Sequence, residues 1–455
     1  MQTDFNGLDV TLSTEVALDA WDATQKAFLA HGAATPDHLG TVLGAEPGFA
    51  LGWAAKGLFY SLLGRRELRP TVAEALETAR SASRDGGATA RERRYIDALD
   101  HYYSGRQRYA AAIIDGIARD YPGDALAMKL AQAIRFIIGD TRGMLASVRL
   151  AAGGFADDHP ARGYLLGCES FALEECGDYT QAERFGRAGL DLCPDDAWGL
   201  HAVAHVHDMT GRAADGVRWL AGKSSHWAHC NNFGFHVWWH LALFHLDRGA
   251  FGPVLALYDL KVRPAATDDF RDISNAASLL LRLEIEGADV GDRWDELADL
   301  SANRVDDGSL VFADLHYLMA LIRTDRGAEA EALTRRIARD ATTLDHDQHE
   351  VSTISGAPIA EGLLAFRGAQ YDTALTKLVA GLEHLPRIGG SHAQRDVFWR
   401  LTVEAALRGG DCATAEVLLA RRTVDRGFED GYTSRRRAQI ETRRMDIAAG
   451  GIAAQ

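Results

Sequence analysis

A glycine that follows an apolar, helix-like segment recurs along this chain at intervals of 34, 38, 34, 38, 38, 40, 41 and 41 residues. A period in this range is typical of repeat architectures, in which each unit is one supersecondary element that buries its apolar face against its neighbours. Because glycine adopts a left-handed backbone conformation without strain, we expect it to end the first of two helices in each unit. The recurring glycines are Gly105, Gly139, Gly177, Gly211, Gly249, Gly287, Gly327, Gly368 and Gly409.

The spacing of other residues supports helix–turn–helix units. Pro122 and Pro194 each stand 17 residues after a repeat glycine, where proline would close the second helix. In "GYLLGCESFALEECGDYTQAERFGRAGLDLCPDD" and the unit after it, Tyr164 and Trp198 are 34 residues apart. This pattern looks like tetratricopeptide repeats. We therefore predict an all-α fold, a right-handed superhelix of tetratricopeptide-like helix–turn–helix repeats.

We expect three regions along the chain. Residues 1–90 form an N-terminal helical cap and first repeat, residues 91–425 form the solenoid with a central groove, and residues 426–455 form a C-terminal capping helix and tail. The basic segment "TSRRRAQIETRRMD" belongs to that last helix, and terminal repeats need a polar outer face.

Composition excludes several classes of partner. The 455 residues carry a formal net charge of −15, which argues against non-specific binding to nucleic acid or to an anionic membrane. The N-terminus lacks a basic start with an apolar core, and no apolar run is long enough to span a bilayer. The five cysteines form no C-x-x-C, so a reducing cytoplasm is the simplest expectation. A homo-oligomer is compatible with this composition.

Two histidine-rich stretches stand out, "AWGLHAVAHVHDMTGR" and "FGFHVWWHLALFHLDRG". The first helix of a tetratricopeptide unit lines the concave wall, and residues four apart lie on one helix face. We therefore expect His201 and His205 to face the groove, and His236 and His240 to face it from the next unit. By the same register we expect His207 and His245 to point into the packed wall of the solenoid and to have a structural role.

Three interpretations of these four histidines stay open. They could bind zinc or another borderline metal, they could form a metal-free acid–base site, or they could be ordinary polar residues of an aromatic-rich groove. No H-E-x-x-H occurs. The residues expected around the histidines are Trp198, Asp208, Trp239, and Glu174 or Glu175 at the end of the preceding first helix.

A second group of polar residues follows in "RIGGSHAQRDVFWRLTVEAALRGG". Ser391 and Gln394 have the spacing of a capping box at a helix start. That interpretation leaves Arg395 and Asp396 without a structural role, and the repeat register turns Asp396 toward the groove. Asp314 takes the equivalent position two units earlier, with His316 close to it.

The segments "DAWGLHAVAHVHDMTGR", "FHVWWHLALFHL", "GDRWDELADL" and "GGSHAQRDVF", in this order, resemble the tetratricopeptide repeat protein 38 family from about Trp53 to about Gly409. The resemblance implies an α-solenoid and carries no settled biochemical activity. Most of the candidate residues lie in the segments by which members are recognised: His201, His205, His236, His240, Asp314, His316, Gln394, Arg395 and Asp396. His392 departs from other members, which can carry a different polar residue there.

Function is then expected at the groove. The first hypothesis is a protein that binds a peptide or small-molecule ligand there without a cofactor. The alternative is a hydrolase- or lyase-type acid–base enzyme, with a divalent metal such as zinc as its possible cofactor. The catalytic candidates are His201, His205, His236, His240 and Asp396. The ligand-binding candidates are Trp198, Glu175, Asp208, Trp239, Asp314, His316, Gln394 and Arg395.

Overall fold

The computed structural model describes residues 1–343 and 346–453, the last seven of these by their backbone alone. Residues 454 and 455 of the expected C-terminal tail lie outside the described residues. The fold is all-helical, as predicted, apart from a two-stranded antiparallel hairpin of β1 (Gln2–Thr3) and β2 (Asp9–Val10). Within the described ranges, no helix is both long enough and apolar enough to cross a membrane.

Helices follow one another in antiparallel pairs. The N-terminal half consists of α1 (Glu15–Leu29), α2 (Thr35–Ala45), α3 (Ala50–Ser61), α4 (Arg69–Gly86), α5 (Ala90–Tyr103), α6 (Gln107–Asp120), α7 (Ala125–Ile137), α8 (Thr141–Ala152), α9 (Arg162–Glu175), α10 (Tyr179–Leu192), α11 (Ala197–Met209) and α12 (Ala213–Leu220). The C-terminal half consists of α13 (Phe233–Asp247), α14 (Phe251–Leu257), α15 (Phe270–Ile285), α16 (Arg293–Ala302), α17 (Val311–Leu321), α18 (Gly327–Asp340), α19 (Asp347–Val351), α20 (Ala357–Arg367), α21 (Tyr371–Leu382), α22 (His392–Arg408), α23 (Cys412–Arg426) and α24 (Gly431–Ala453). First helices of neighbouring pairs pack side by side, for example α9 with α11, α11 with α13, and α13 with α15, as in a helical solenoid.

The repeat glycines make the turns within most pairs. The glycines from Gly105 to Gly287 have positive φ, for example +69° at Gly211, so the left-handed turn is confirmed there. The expectation was wrong at the last three positions. Gly327 is the first residue of α18. In the final two turns the left-handed residue is the next one along, Ala369 at +54° and Gly410 at +82°. The helix in those pairs continues one residue further, so the glycine still has helical φ.

Two distant parts of the repeat array contact each other. Arg304, after α16, pairs with Glu67 before α4 at 2.6 Å, and the amide of Asp347 donates to the carbonyl of Gly105 at 3.0 Å. We call this contact of residues 60–107 with residues 304–343 and 346–349 the seam. Helix α1 also packs against α7, and α22 returns to pack against α15. The array is therefore bent until it contacts itself.

Helix α22 and the N-terminal segment both contact the middle of the array, through the Glu175–Arg395 pair and through the stacking of His31 on Trp198. Two large apolar cores result, one built mainly from residues 10–172 and the other from residues 239–440. Helix α24 is joined to the repeats by ion pairs that use its basic residues: Arg435 with Glu286 at 2.8 Å and Arg436 with Glu404 at 2.6 Å. The arginines of the basic segment thus hold the last helix against the repeats.

Candidate metal centre

Four histidine side chains meet in the middle of the array. His201 and His205 come from α11, and His236 and His240 come from the adjacent first helix α13. Each pair is four residues apart, which places both of its rings on the face that the other helix contacts. We call these four residues the histidine tetrad. His201, His205 and His240 are at most 1% exposed, and His236 is the most exposed of the four.

The tetrad rings point the same type of atom at one another. Nε2 of His201 lies 2.9 Å from Nε2 of His205 and 3.0 Å from Nε2 of His236. Nε2 of His240 lies 3.2 Å from Nε2 of His236. One ligating nitrogen from each ring lies within 4.8 Å of every other. A zinc ion with four nitrogens at 2.0–2.1 Å has tetrahedron edges of about 3.3 Å, close to the three short separations.

Protons alone cannot satisfy this arrangement. An imidazole nitrogen carries either one N–H or one lone pair in the ring plane, so it takes part in one good hydrogen bond. Nε2 of His201 and Nε2 of His236 each have two nitrogen neighbours within 3.2 Å. Hydrogen bonds can therefore form at no more than two of the three contacts, and the remaining pair of nitrogens lies within 3.2 Å without one. A cation at the centre would accept all four lone pairs at once.

Burial keeps the tetrad neutral. Burial, and then the neighbouring imidazoles, hold the pKa values of His201 and His240 well below the ordinary value. Burial lowers the pKa of His205 in the same way, and it lowers the pKa of His236 to about 4. The rings are therefore uncharged at neutral pH, which is the form that ligates metals.

The outer nitrogen of His236 has a partner that fixes its tautomer. Nδ1 of His236 lies 3.1 Å from Oδ1 of Asn275 on α15. An N–H donated to that oxygen leaves the lone pair on Nε2, facing the other three rings. The amide nitrogen of Gln394 on α22 lies 3.5 Å from the same oxygen. Two helices far apart in sequence thus support one ligand.

Glu174 stands behind His205. Its carboxylate oxygen Oε2 lies 3.6 Å from Nδ1 of His205, and the side chain has no exposed surface. Neither oxygen of Glu174 has a hydrogen-bond partner in the described part of the chain. Burial, and then the charge of Glu175, raise the pKa of Glu174 well above its ordinary value. This is the position of a carboxylate that supports a metal-binding histidine from outside.

Glu175, which the sequence favoured over its neighbour, points elsewhere. Its Oε1 accepts the amide of His392 at 2.8 Å, and its Oε2 lies 3.1 Å from Arg395. Its hydrogen bonds therefore go to α22, although oxygens of both glutamates lie within 4.8 Å of a ring nitrogen of His205. Glu175 and Arg395 join α9 to the start of α22.

Aromatic rings surround the tetrad. The Trp239 ring stacks on His236 with centroids 5.3 Å apart and planes at 17°, and the Trp198 ring lies 5.2 Å from the ring of His201. His31 stacks between Trp198 and Phe233, at 5.4 and 4.3 Å. These rings exclude water, which strengthens any charge–dipole interaction inside.

The remaining site predictions lie away from the tetrad. Asp208 pairs with Arg426 at 3.0 Å, and Asp314 pairs with Arg336 at 2.5 Å. Nδ1 of His316 lies 2.7 Å from a main-chain oxygen of its own helix.

Asp396 is likewise used in packing. It lies 2.7 Å from Nε of Arg400 and 2.6 Å from Nε of Arg422. These arginines hold the pKa of Asp396 well below its ordinary value, although burial opposes them. Ser391 and Gln394 form the predicted capping box at the start of α22.

Sequence reasoning missed two neighbours of the tetrad. Asn275 sits in an apolar helix, where a lone amide is the only signal. His31 follows α1 with φ of 58°, and its loop is fixed by a 2.8 Å bond from the amide of Asn231 to the carbonyl of His31. Nothing in the repeat pattern predicts that the N-terminus reaches α13.

The comparison with known families adds no further assignment, because no protein-family model matches the chain.

Proposed function

We propose that this protein binds a single transition-metal ion through His201, His205, His236 and His240. The observation that carries the proposal is the convergence of four Nε2 atoms, joined by three separations of 2.9–3.2 Å. Hydrogen bonds can form at no more than two of these three contacts, whereas one cation at the centre would account for the convergence of all four nitrogens.

The donor set narrows the choice of metal. Neutral imidazoles suit Zn²⁺, Cu²⁺, Ni²⁺ and Co²⁺, whereas Mg²⁺ and Ca²⁺ require oxygen ligands. Four protein ligands complete a tetrahedron, which is typical of metal sites that stabilise a fold. The ion would join α11 to α13, two helices in the middle of the array. A near-complete loss of solvent contact at the tetrad favours a small ion over a peptide as its occupant.

Metal analysis tests the proposal directly. The protein, purified without a histidine tag or immobilised metal, is dialysed against Zn²⁺ or Co²⁺ and analysed by inductively coupled plasma mass spectrometry. We expect one equivalent in the wild type and loss of the ion in His201→Ala and His240→Ala. Cobalt in a tetrahedral site should also give intense visible absorption. His245→Ala, on the same helix as His240, is the matched control and should retain the ion.

Two results would overturn the proposal. One is absence of bound metal after reconstitution of folded wild-type protein, with folding checked by circular dichroism. The other is equal metal content in the wild type and in folded tetrad variants, which would locate the ion elsewhere.

A second candidate function, acid–base catalysis, is favoured by Glu174. A fully buried carboxyl group with two unpartnered oxygens, 3.6 Å from an imidazole nitrogen, is a combination found in proton-transferring sites. A thermal-shift screen of a metabolite library, followed by hydrolysis and elimination assays on the hits, tests this candidate. Activity in the wild type that is lost in Glu174→Gln would support it. A screen without hits, or hits turned over equally by Glu174→Gln, would remove it.

We also infer membership of the tetratricopeptide repeat protein 38 family and a cytoplasmic location. The helical repeats and the quoted segments support the first inference. The five cysteines are all free, which supports a reducing compartment. Fractionation of the source cells with compartment markers tests the location. An alignment in which members of that family lack the four tetrad positions would count against the family.

A further inference from the structure

A cleft of about 280 Å³ opens at the seam, far along the chain from the tetrad. One side comes from α3, α4, α5 and the start of α6, and the other side comes from the segment before α17 and from the start of α19, with His346, Gln348 and His349. We call it the seam cleft. The residues that matter for its chemistry are Tyr60, Arg65, Arg66, Arg69, Tyr102, Tyr103, Asp307 and Ser309. Its volume is that of a small metabolite.

The seam cleft carries two arginines whose charges are not offset by an ion pair. Arg65 pairs with Glu67. Arg66 donates to the carbonyl of Asp306 at 3.2 Å, and the Arg69 guanidinium lies 4.7 Å from the centre of the Tyr103 ring. Neither Arg66 nor Arg69 has a carboxylate within ion-pair distance among the described residues. Two guanidinium groups without a carboxylate partner, three residues apart, are unexpected in a chain of net charge −15.

The acidic group of the cleft does not cancel these charges. The carboxylate of Asp307 lies 3.5 Å from Arg304, which also pairs with Glu67 and Asp268. Burial raises the pKa of Asp307 to about 7, so part of the population is neutral at physiological pH. The first turn of α4 contains no acidic residue, so the positive end of that 18-residue helix, where Arg69 lies, also favours an anion.

A buried hydroxyl completes the site. Tyr102 is 7% exposed and lines the seam cleft. Its hydroxyl lies beside the Gln107 side chain, which lowers the pKa that burial raises, but it makes no hydrogen bond of good geometry within the residues that the structure describes. The neighbouring Gln107 side chain accepts instead from the amide of Gln348 at 3.1 Å. A buried hydroxyl without a partner costs free energy, and a bound ligand oxygen would supply one. Arginine forks match the oxygens of phosphate, and an O–H donor adds a further contact.

We propose that the seam cleft binds a small organic phosphate, with the phosphate group held by Arg66, Arg69 and the Tyr102 hydroxyl. This proposal is independent of the metal site. Tyr60 and Tyr103 offer aromatic faces to the organic part of the ligand. Because the cleft is shared by two parts of the array that are distant in sequence, such a ligand stabilises the contact between them by mass action.

Calorimetric titration tests the proposal with two probes, inorganic phosphate and phenyl phosphate, in chloride buffer of matched ionic strength. We expect both to bind the wild type and to raise its melting temperature, with phenyl phosphate the tighter. Arg66→Gln and Arg69→Gln should each weaken binding about tenfold, the effect of losing one charge-assisted hydrogen bond. Tyr102→Phe keeps the ring and should weaken binding by a smaller factor. Arg248→Gln, an exposed arginine after α13, is the matched control and should leave binding unchanged.

The outcomes separate cleanly. Binding that is weakened by the cleft substitutions and unaffected by Arg248→Gln supports the site. The proposal fails if neither probe binds folded wild-type protein, or if Arg66→Gln and Arg69→Gln bind as the wild type does. Selectivity for phosphate also fails if succinate, a dicarboxylate, binds more tightly than phenyl phosphate. Metal content measured on the same samples keeps the test apart from the fate of the tetrad.

Discussion

The pH dependence of unfolding gives a direct measure of how the tetrad is buried. In protein stripped of metal by a chelator, the four imidazoles are neutral when folded, because their pKa values lie well below the ordinary value or, at His236, at about 4. In the unfolded chain the same groups titrate near pH 6.5. The unfolded state therefore binds more protons below that pH, and the free energy of unfolding falls as the pH falls.

The magnitude follows from the two sets of pKa values. Between pH 6.5 and pH 5.5, each group that protonates only on unfolding lowers the free energy of unfolding by about 1 kcal/mol. The tetrad as a whole therefore contributes about 4 kcal/mol of the loss over this unit of pH. A His201→Gln/His240→Gln double variant has two such groups fewer, so its loss should be smaller by about 2 kcal/mol. Other histidines contribute equally to both proteins and cancel in the difference.

Urea unfolding at the two pH values, followed by circular dichroism in the presence of a chelator, measures the difference. Glutamine keeps most of the volume of histidine and does not titrate. Any loss of packing lowers the stability of the variant equally at both pH values, so the difference between the two pH values reports proton binding alone. His384→Gln, at an exposed position before α22, is the control and should lose as much stability on acidification as the wild type. If the double variant also loses as much as the wild type, the tetrad is not buried and neutral, and the argument for its ligand character fails.

Three further predictions follow from other parts of the fold. Arg422→Met removes one of the arginines that contact the buried carboxylates of Asp396 and Asp430, and we expect chemical denaturation to show a loss of about 3–5 kcal/mol. Gly139→Ala places a side chain at φ of +67°, against a main-chain oxygen from the loop before α22, so the melting temperature should fall by an amount equivalent to more than about 1 kcal/mol. Asn275→Ala removes the partner that orients one tetrad ring, and competition with a chromophoric chelator should show metal affinity lower by about 10- to 100-fold.

The sequence predicted the repeats because their signals are local. A glycine that ends one helix is readable wherever it recurs, and the i,i+4 spacing of histidines on two successive first helices was sufficient to expect His201, His205, His236 and His240 in one place. The outer partners of the tetrad depend on tertiary packing instead. Asn275 reaches His236 from the next helix pair. The periodicity of a sequence does not predict which face of a helix contacts a helix that is distant in sequence.

The polar residues of "GGSHAQRDVF" illustrate the limit of register arguments. The repeat register turns Asp396 toward the concave side, and in an open solenoid that side is exposed. In this chain α22 folds back onto α15, so the same face is buried among arginines. A buried carboxylate needs partners, and Arg400 and Arg422 provide them. Asp396 was predicted to be functional because it was expected on an exposed face. No signal in the sequence reveals that α22 folds back and buries that face.

Closure of the array also links the tetrad to distant segments. The tetrad nitrogens come from two adjacent helices, but their supports come from α9 through Glu174, from α15 through Asn275, and from α22 through Gln394. Helices α9 and α15 neighbour α11 and α13 in the array, whereas α22 reaches the centre only because the C-terminal part of the chain returns to its middle. Metal affinity should therefore depend on contacts of α22 that do not touch the ion. Loss of the Glu175–Arg395 pair, which joins α9 to α22, is then expected to weaken metal binding, although neither residue is a ligand.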